Sequence, residues 1–243
     1  ETEALLRLSG GDGRKLLNTF ELIVNATPEG EPVVITNDSV LRLVQKNTVL
    51  YDKTGEQHYD IISAFIKSIR GSDPNGAVYW LARMIEGGED VKFIARRMLI
   101  LASEDIGNAN PTAMILANNT FQAVTTIGYP EARIILSQCA IYLASSPKSN
   151  ASYKAINKAQ QVVKQTGDLS VPIHLRNAPT KLMKELGYGK DYQYAHDYAH
   201  NFAFQDYLPD ELQGETFYEP SDNPRENALR DYLKKLWGDR YGY

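Results

Sequence analysis

Ile61-Ile62-Ser63-Ala64-Phe65-Ile66-Lys67-Ser68-Ile69-Arg70-Gly71-Ser72-Asp73-Pro74 decides the fold class of this chain. Ile62, Phe65, Ile66 and Ile69 recur at i, i+3, i+4 and i+7, the spacing that gathers side chains into one buried stripe of a helix. Gly71 ends that helix, and Asp73-Pro74 opens the next. The aspartate can accept from the free N–H groups of a first helical turn, and a proline there gives up no hydrogen bond. The same punctuation repeats downstream. Val78, Leu81, Ala82 and Ile85 form a second stripe closed by Gly87-Gly88, and Asp90 caps a third helix carrying Ile94, Met98 and Leu101, with Gly107 after it. Asn110-Pro111 precedes a helix through Thr126, Pro130 opens one that runs to Ala144, and Asn150 to Gln165 is closed by Gly167. Pro179 to Leu186 is a short helix, residues 188–220 are aromatic and lack periodicity, and Asn227 to Trp237 is a final helix. Upstream, Asp12 to Ala26 carries Leu16, Phe20, Ile23 and Val24 on one face. Val33 to Thr36 is β-branched enough for one small strand, and Thr36 or Asn37 caps a helix bearing Val40, Leu41 and Val44. Tyr51 to Gly55 is a turn-like linker. The strand–helix alternation of a parallel sheet is missing, so the predicted fold is mainly α, with consecutive short helices in the manner of a solenoid or collar.

The 243 residues are 43% hydrophobic and 23% charged, which excludes wholesale disorder. A single cysteine, Cys139, excludes an internal disulfide framework and a cysteine-rich zinc module, and makes a cytosolic setting the expectation. No apolar run approaches the about 20 residues of a membrane span, and no signal segment opens the sequence. The first residue is Glu1, so a piece of a longer protein is expected. Charge is unevenly spread. Residues 1–147 have net charge -4, residues 148–190 net +6 and residues 191–243 net -6. A basic middle before an acidic tail implies a local anion site or two surfaces that face each other.

Few residues could carry chemistry. Gly11-Asp12-Gly13-Arg14 sets an arginine in the first turn of a helix, where unsatisfied N–H groups and the macrodipole favour anions and a guanidinium fork suits phosphate oxygens. A solvated arginine after a loop is the other reading. No G-x-x-x-x-G-K-[ST] phosphate loop is present. Glu104-Asp105 could serve as acid and base, but two acids near a helix end more often hold neighbouring arginines, here Arg96 and Arg97. His196 and His200 are spaced i, i+4, yet no third ligand is signalled. Cys139 sits among isoleucines as a small core residue. On the helix near 150–165, Lys154 and Lys158 lie away from the Ala155, Ala159 and Val162 side, either to neutralise phosphates or simply as a solvated face. Arg176, Lys181 and Lys184 extend this block. The aromatics from Tyr188 to Tyr207 could stack on single-stranded bases or anchor an irregular segment.

Longer motifs carry a resemblance. Gly11-Asp12-Gly13-Arg14 with Leu16, Leu17 and Asn18 resembles the sensor 2 helix of clamp-loader-type AAA+ ATPases. His58-Tyr59-Asp60-Ile61-Ile62-Ser63-Ala64, Tyr79-Trp80-Leu81-Ala82-Arg83-Met84, Ala102-Ser103-Glu104-Asp105-Ile106-Gly107, His174-Leu175-Arg176-Asn177-Ala178-Pro179 and Tyr207-Leu208-Pro209-Asp210-Glu211-Leu212 resemble the replication-associated recombination ATPases, RarA/MgsA, and their Werner-helicase-interacting relatives. The Walker A and Walker B core is missing, and Ala199 to Asp206 lacks the glycines expected there. The resemblance implies a helical AAA+ lid over residues 1–55 and a clamp-loader-collar-like oligomerisation domain over 56–243 that forms a homotetramer. It implies a parent that is a DNA-dependent ATPase using ATP and Mg, acting at replication forks and in recombination and repair. Single-stranded DNA-binding protein is the implied partner, and the setting cytoplasmic and nucleoid-associated. Arg14 would touch the γ-phosphate of ATP held by the absent core, whereas catalytic and metal-binding residues are expected nowhere in this piece. Lys154, Lys158, Arg176, Lys181 and Lys184 are the candidate DNA contacts. The alternative function is a free-standing helical adaptor that binds nucleic acid or protein without an ATPase parent.

Overall fold

A computed structural model describes residues 1–9, 13–28, 30–47 and 56–243. The described residues form eleven α-helices with short 3-10 and π turns between some of them, and no strand. Three helices make a small first unit: α1 (Glu3–Ser9), α2 (Gly13–Ala26) and α3 (Asn37–Asn47). They pack on one another and bury Ala4, Leu5, Ile23 and Val40, with Leu16, Ile35, Leu41 and Leu43 around them.

The strand expected over Val33–Thr36 does not form. A lone β-branched run has no neighbouring strand to satisfy its backbone, and its end is committed elsewhere. Thr36 Oγ1 accepts from the Ser39 N–H at 3.0 Å while Ser39 Oγ accepts from the Thr36 N–H at 3.0 Å, a reciprocal cap that starts α3. Asn37 Oδ1 accepts from the Ala4 N–H at 2.9 Å and so ties α1 to α3. The linker expected at Tyr51–Gly55 and Val44's place in the α3 stripe lie outside the described residues and side chains.

The larger unit begins with α4 (Glu56–Arg70) and α5 (Pro74–Glu86), which form a hairpin. Asp73 Oδ1 accepts from the Asn75 and Gly76 N–H groups, both at 3.0 Å, with Pro74 in the first turn as its sequence predicts. α6 (Val91–Leu101) is capped by Asp90, whose Oδ1 accepts from the Lys92 N–H at 2.9 Å. It continues as a π turn over Ala102–Ile106 before Gly107 stops it. Gly107 has φ +49, and a Cβ there would lie 3.2 Å from the Ser149 carbonyl oxygen, so both its conformation and its surroundings require glycine. α7 (Thr112–Ile127) and α8 (Ala132–Ala144) follow. α4 packs on α5, α5 on α8, α8 on α7 and α7 on α6. Phe65, Ile69, Leu81, Met84, Ile94, Met98, Leu101, Leu136 and Leu143 are fully buried between them. α4 therefore shares the core of the helices that follow it, not the core of α1–α3.

α9 (Ala151–Thr166) leans on the turn after α6, and Ala151 alone of its sixteen residues is buried. Residues 167–223 run through 3-10 turns and the short α10 (Lys181–Glu185), and α11 (Pro224–Trp237) closes the chain. α11 begins three residues before Asn227. Asn223 caps it, its Oδ1 accepting from the Glu226 N–H at 3.0 Å and its Nδ2 donating to Glu226 Oε2 at 2.7 Å. Among the described residues no helix is long and apolar enough to cross a membrane.

Candidate functional site

Arg14 lies in the first turn of α2, which starts at Gly13. The helix N-terminus predicted for an anion contact is therefore present in the backbone, while the Arg14 side chain lies outside the described residues.

The basic block is divided between two uses. Lys158 points at the acidic tail: its Nζ donates to the Thr216 carbonyl at 2.6 Å, pairs with Glu215 at 3.3 Å and sits over the Phe217 ring. Arg176 holds its own loop, with Nε donating to the Val171 carbonyl at 2.7 Å, Nη1 donating to Tyr188 Oη at 3.3 Å and the guanidinium stacked on that ring. Lys154, Lys181 and Lys184 are exposed. The Lys181 ammonium lies 3.9 Å from Glu185 one turn on, a contact that contributes little in water. The acidic tail thus covers one candidate lysine of α9 and leaves its neighbour open.

Glu104 and Asp105 hold an arginine, but it is Arg70 rather than Arg96 or Arg97. Arg70 Nε donates to Asp105 Oδ1 at 2.7 Å, and Nη2 lies 3.7 Å from Glu104. That hydrogen bond raises the guanidinium pKa further. The pair fastens the end of α4 to the π turn after α6. Ser149 adds the α8–α9 link by donating its N–H to the Asp105 carbonyl at 2.8 Å. One residue earlier, Lys148 Nζ donates to the Leu143 and Ala144 carbonyls at 3.1 and 3.0 Å, and to Ser72 Oγ at 3.0 Å. It adds a charged donor to the last carbonyls of α8 and pins the α4–α5 turn. Burial lowers its pKa, while Asp105 acts in the opposite sense. In the sequence Lys148 stands only as one positive charge of the basic block. A lysine four residues beyond the last helical position was the available signal for a cap.

His196 and His200 do not share a helix face. They occupy separate 3-10 turns, Ala195–Asp197 and Ala199–Asn201, and His200 has φ +59. The i, i+4 argument presumed an α-helix that this segment does not form, and no group of three or more metal-ligating side chains occurs among the described residues. Cys139 is fully buried, and that burial pushes its thiol up to about 11. The aromatics of the tail gather on α11: Phe202, Phe204, Tyr207 and Tyr241 all contact the Trp237 ring, and Arg240 stacks over Phe204, Trp237 and Tyr241. Anchoring accounts for this cluster, although Tyr192, Tyr194 and Tyr198 of the same segment stay about half exposed.

Two apolar surfaces lie outside the core. One is a shallow groove of about 540 Å³ between α6 and α9, lined by Leu99, Ile100, Ser103, Glu104, Tyr153 and Ile156. The other is the outer face of α7. This helix carries no charged side chain in sixteen residues, yet Met114, Ile115 and Ile127 are more than half exposed. Solvated helix faces ordinarily carry Lys and Glu, whereas the cores of protein interfaces are depleted of them. The sequence holds this signal openly: Pro111 to Thr126 carries apolar or small residues around more than one face, more than a single core needs, from which self-association is expected.

The sequence matches the family described as MgsA AAA+ ATPase C terminal over residues 71–237, and that described as AAA C-terminal domain over residues 1–70. It is 45% identical over 194 residues to replication-associated recombination protein A of Coxiella burnetii, covering 79% of this chain and 44% of that protein. It is 44% identical over 231 residues to the Bacillus subtilis protein of the same name, covering 93% of this chain and 54% of that protein. It is 39% identical over 211 residues to the ATPase WRNIP1 of Dictyostelium discoideum, covering 80% of this chain and 24% of that protein. The chain thus spans about half or less of the length of these relatives. With an all-helical architecture and a family match over most of its length, the chain belongs to the MgsA AAA+ ATPase C-terminal family.

Proposed function

We propose that this chain is the lid and homotetramerisation module of a DNA-dependent AAA+ ATPase that acts in replication-fork maintenance, repair and recombination. The observation that carries the proposal is the succession of two matches along one chain, an AAA C-terminal domain followed by an MgsA C-terminal region, in a sequence without a phosphate loop. The names of the relatives support the setting in replication and recombination. We place the lid at residues 1–55 and the oligomerisation domain at 56–243. The family boundary falls at Gly71 instead, but α4 shares the core of the helices after it, which favours the earlier division. In the longer polypeptide that this proposal implies, the ATPase core holds ATP and Mg, and Arg14 at the start of α2 contacts the γ-phosphate. Single-stranded DNA-binding protein is the proposed partner, and the cytoplasmic nucleoid the proposed setting. The uncharged outer face of α7 supports self-association.

The test is phosphate release. Residues 1–243 alone are expected to hydrolyse no ATP, because phosphoryl transfer needs the phosphate cradle and metal ligands for positioning and charge stabilisation. The full-length protein is expected to hydrolyse it in a DNA-dependent manner. Release by the chain alone that survives further purification contradicts the assignment.

DNA contact is proposed for the basic block, through Lys154, Lys158, Arg176, Lys181 and Lys184. The local net charge of +6 supports it, since counterion release rewards clustered cations. Four copies would add weak sites by avidity. Replacing Lys154 and Lys158 together by alanine is expected to weaken DNA binding across sequences and to flatten its salt dependence by about two units of slope at most, near 0.9 per phosphate contact. Because Lys158 already meets Glu215 and Thr216, a loss nearer one unit would identify Lys154 as the main contact. Unchanged affinity and slope would make both lysines a solvated or tail-binding face.

A further inference from the structure

We propose that residues 213–218 form an autoinhibitory strap, in which Glu215, Thr216 and Phe217 occupy Lys158 of α9 as a nucleic acid strand would and must leave before a strand binds there. The inference rests on the DNA contact proposed above and adds its regulation. Three contacts meet on one ammonium. Glu215 Oε2 lies 3.3 Å from Lys158 Nζ, the Thr216 carbonyl accepts from it at 2.6 Å, and the Phe217 ring centroid is 5.8 Å away. A single strand offers a lysine the same set: an anionic phosphate, further oxygen acceptors and an aromatic face. The strap is a mimic in kind, with a carboxylate for the phosphate and a phenyl ring for the base. It also comes from the segment of matching charge, since residues 191–243 have net charge -6 and residues 148–190 net +6.

The strap is anchored on one side and lightly held on the other. Arg240 Nη2 donates to Gln213 Oε1 at 3.1 Å, Thr216 Oγ1 to the Tyr241 carbonyl at 3.3 Å and Tyr218 Oη to Glu226 Oε1 at 3.1 Å. These bonds tie it to α11 and the residues after it, where Glu226 is fully buried. Gly214, at φ +88, turns the chain just ahead of Glu215. The grip on α9 runs through Lys158, whose side chain is 46% exposed and faces a carboxylate 44% exposed. An ion pair in that much water contributes little and is screened by salt, so a polyanion can compete with it. Lys154 lies one turn before Lys158 on the same face and is exposed. It gives an incoming strand a first contact about 6 Å along the helix from the covered lysine. A strand held at Lys154 raises the local concentration of phosphate at Lys158, and the strap must compete against that.

The test is binding of a fluorescein-labelled oligo-dT to this chain across a salt series, read by anisotropy. Glu215→Gln is expected to tighten binding about threefold, the order of one exposed ion pair, and to steepen the salt dependence by about 0.7, one further phosphate contact on a single strand. Asp231→Asn removes the same charge from an exposed position on α11 and is expected to move neither. In a Lys158→Ala background, Glu215→Gln is expected to have no effect. Amide exchange over residues 214–217 is expected to speed up when oligo-dT is bound, whereas a segment that only braces the fold would keep its protection. If the wild-type chain binds oligo-dT but Glu215→Gln changes neither affinity nor slope, or Asp231→Asn changes both as much, the strap is wrong while the DNA contact stands. No binding by wild type or by Glu215→Gln overturns both.

Discussion

Arg14→Ala in the full-length ATPase is expected to cut turnover by about 100-fold while changing the affinity for ATP by far less. The magnitude is that of removing one preorganised donor from charge that develops in a transition state. α2 begins at Gly13, so its free N–H groups and the positive end of its macrodipole sit beside Arg14. A guanidinium added there is always charged and offers a planar fork to phosphate oxygens. Charge on the transferring group is redistributed in the transition state, so a contact that strengthens at that point acts on kcat and not on ground-state binding. Arg14→Lys keeps the charge but not the fork and is expected to recover part of the loss. Steady-state kinetics decides it: an unchanged kcat for Arg14→Ala rejects the sensor role.

Phe65→Ala is expected to destabilise the larger helical unit by about 3–5 kcal/mol, the usual cost of emptying an aromatic side chain's place in a core that cannot collapse around it. Phe65 is fully buried on α4 and belongs to the cluster that contains Leu81, Ile94, Met98 and Leu136. For a domain of this size the loss corresponds to a fall in Tm of about 10 °C. Thermal unfolding followed by far-UV circular dichroism at one fixed protein concentration measures it, the concentration being held because assembly stabilises by mass action. Lys181→Ala, with its side chain 92% exposed, is the control and is expected to change stability by less than about 0.5 kcal/mol. A Tm for Phe65→Ala within a degree or two of wild type would mean that α4 is not a structural part of that core.

The helical hairpin of α4 and α5 was legible because every cue agreed. An apolar stripe, a stopping glycine, a capping aspartate and a first-turn proline all lie within one short stretch, and the structure uses each in its expected role. Cues that depended on a partner elsewhere in the fold were less decisive. Val33–Thr36 had the composition of a strand but no second strand to pair with, and Thr36 was spent on a helix cap. α1 was missed because seven residues give too little period to see, and its place is set by Ala4 and Leu5 packing on α2 and α3. α6 and the π turn after it could not be separated by periodicity, since both keep Met98, Leu101 and Ile106 inside. In the site, the acidic pair Glu104-Asp105 was correctly expected to hold an arginine, but the nearest arginines in sequence were not the nearest in space. The basic block was visible as charge, whereas its partial neutralisation by Glu215 depended on a tail whose path no local pattern dictates. The groove between α6 and α9 was invisible for the same reason: Ile100 and Ile156 lie outside the apolar stripes read on their helices, and only the fold brings them together.

Self-assembly through the helical domain is the central claim, and the mass of the chain in solution tests it most directly. Light scattering coupled to size-exclusion chromatography at micromolar concentration is expected to give about four times the 27.2 kDa of one chain, with the same stoichiometry for residues 56–243 once α1–α3 are removed. A mass equal to one chain, unchanged as concentration rises, would contradict it.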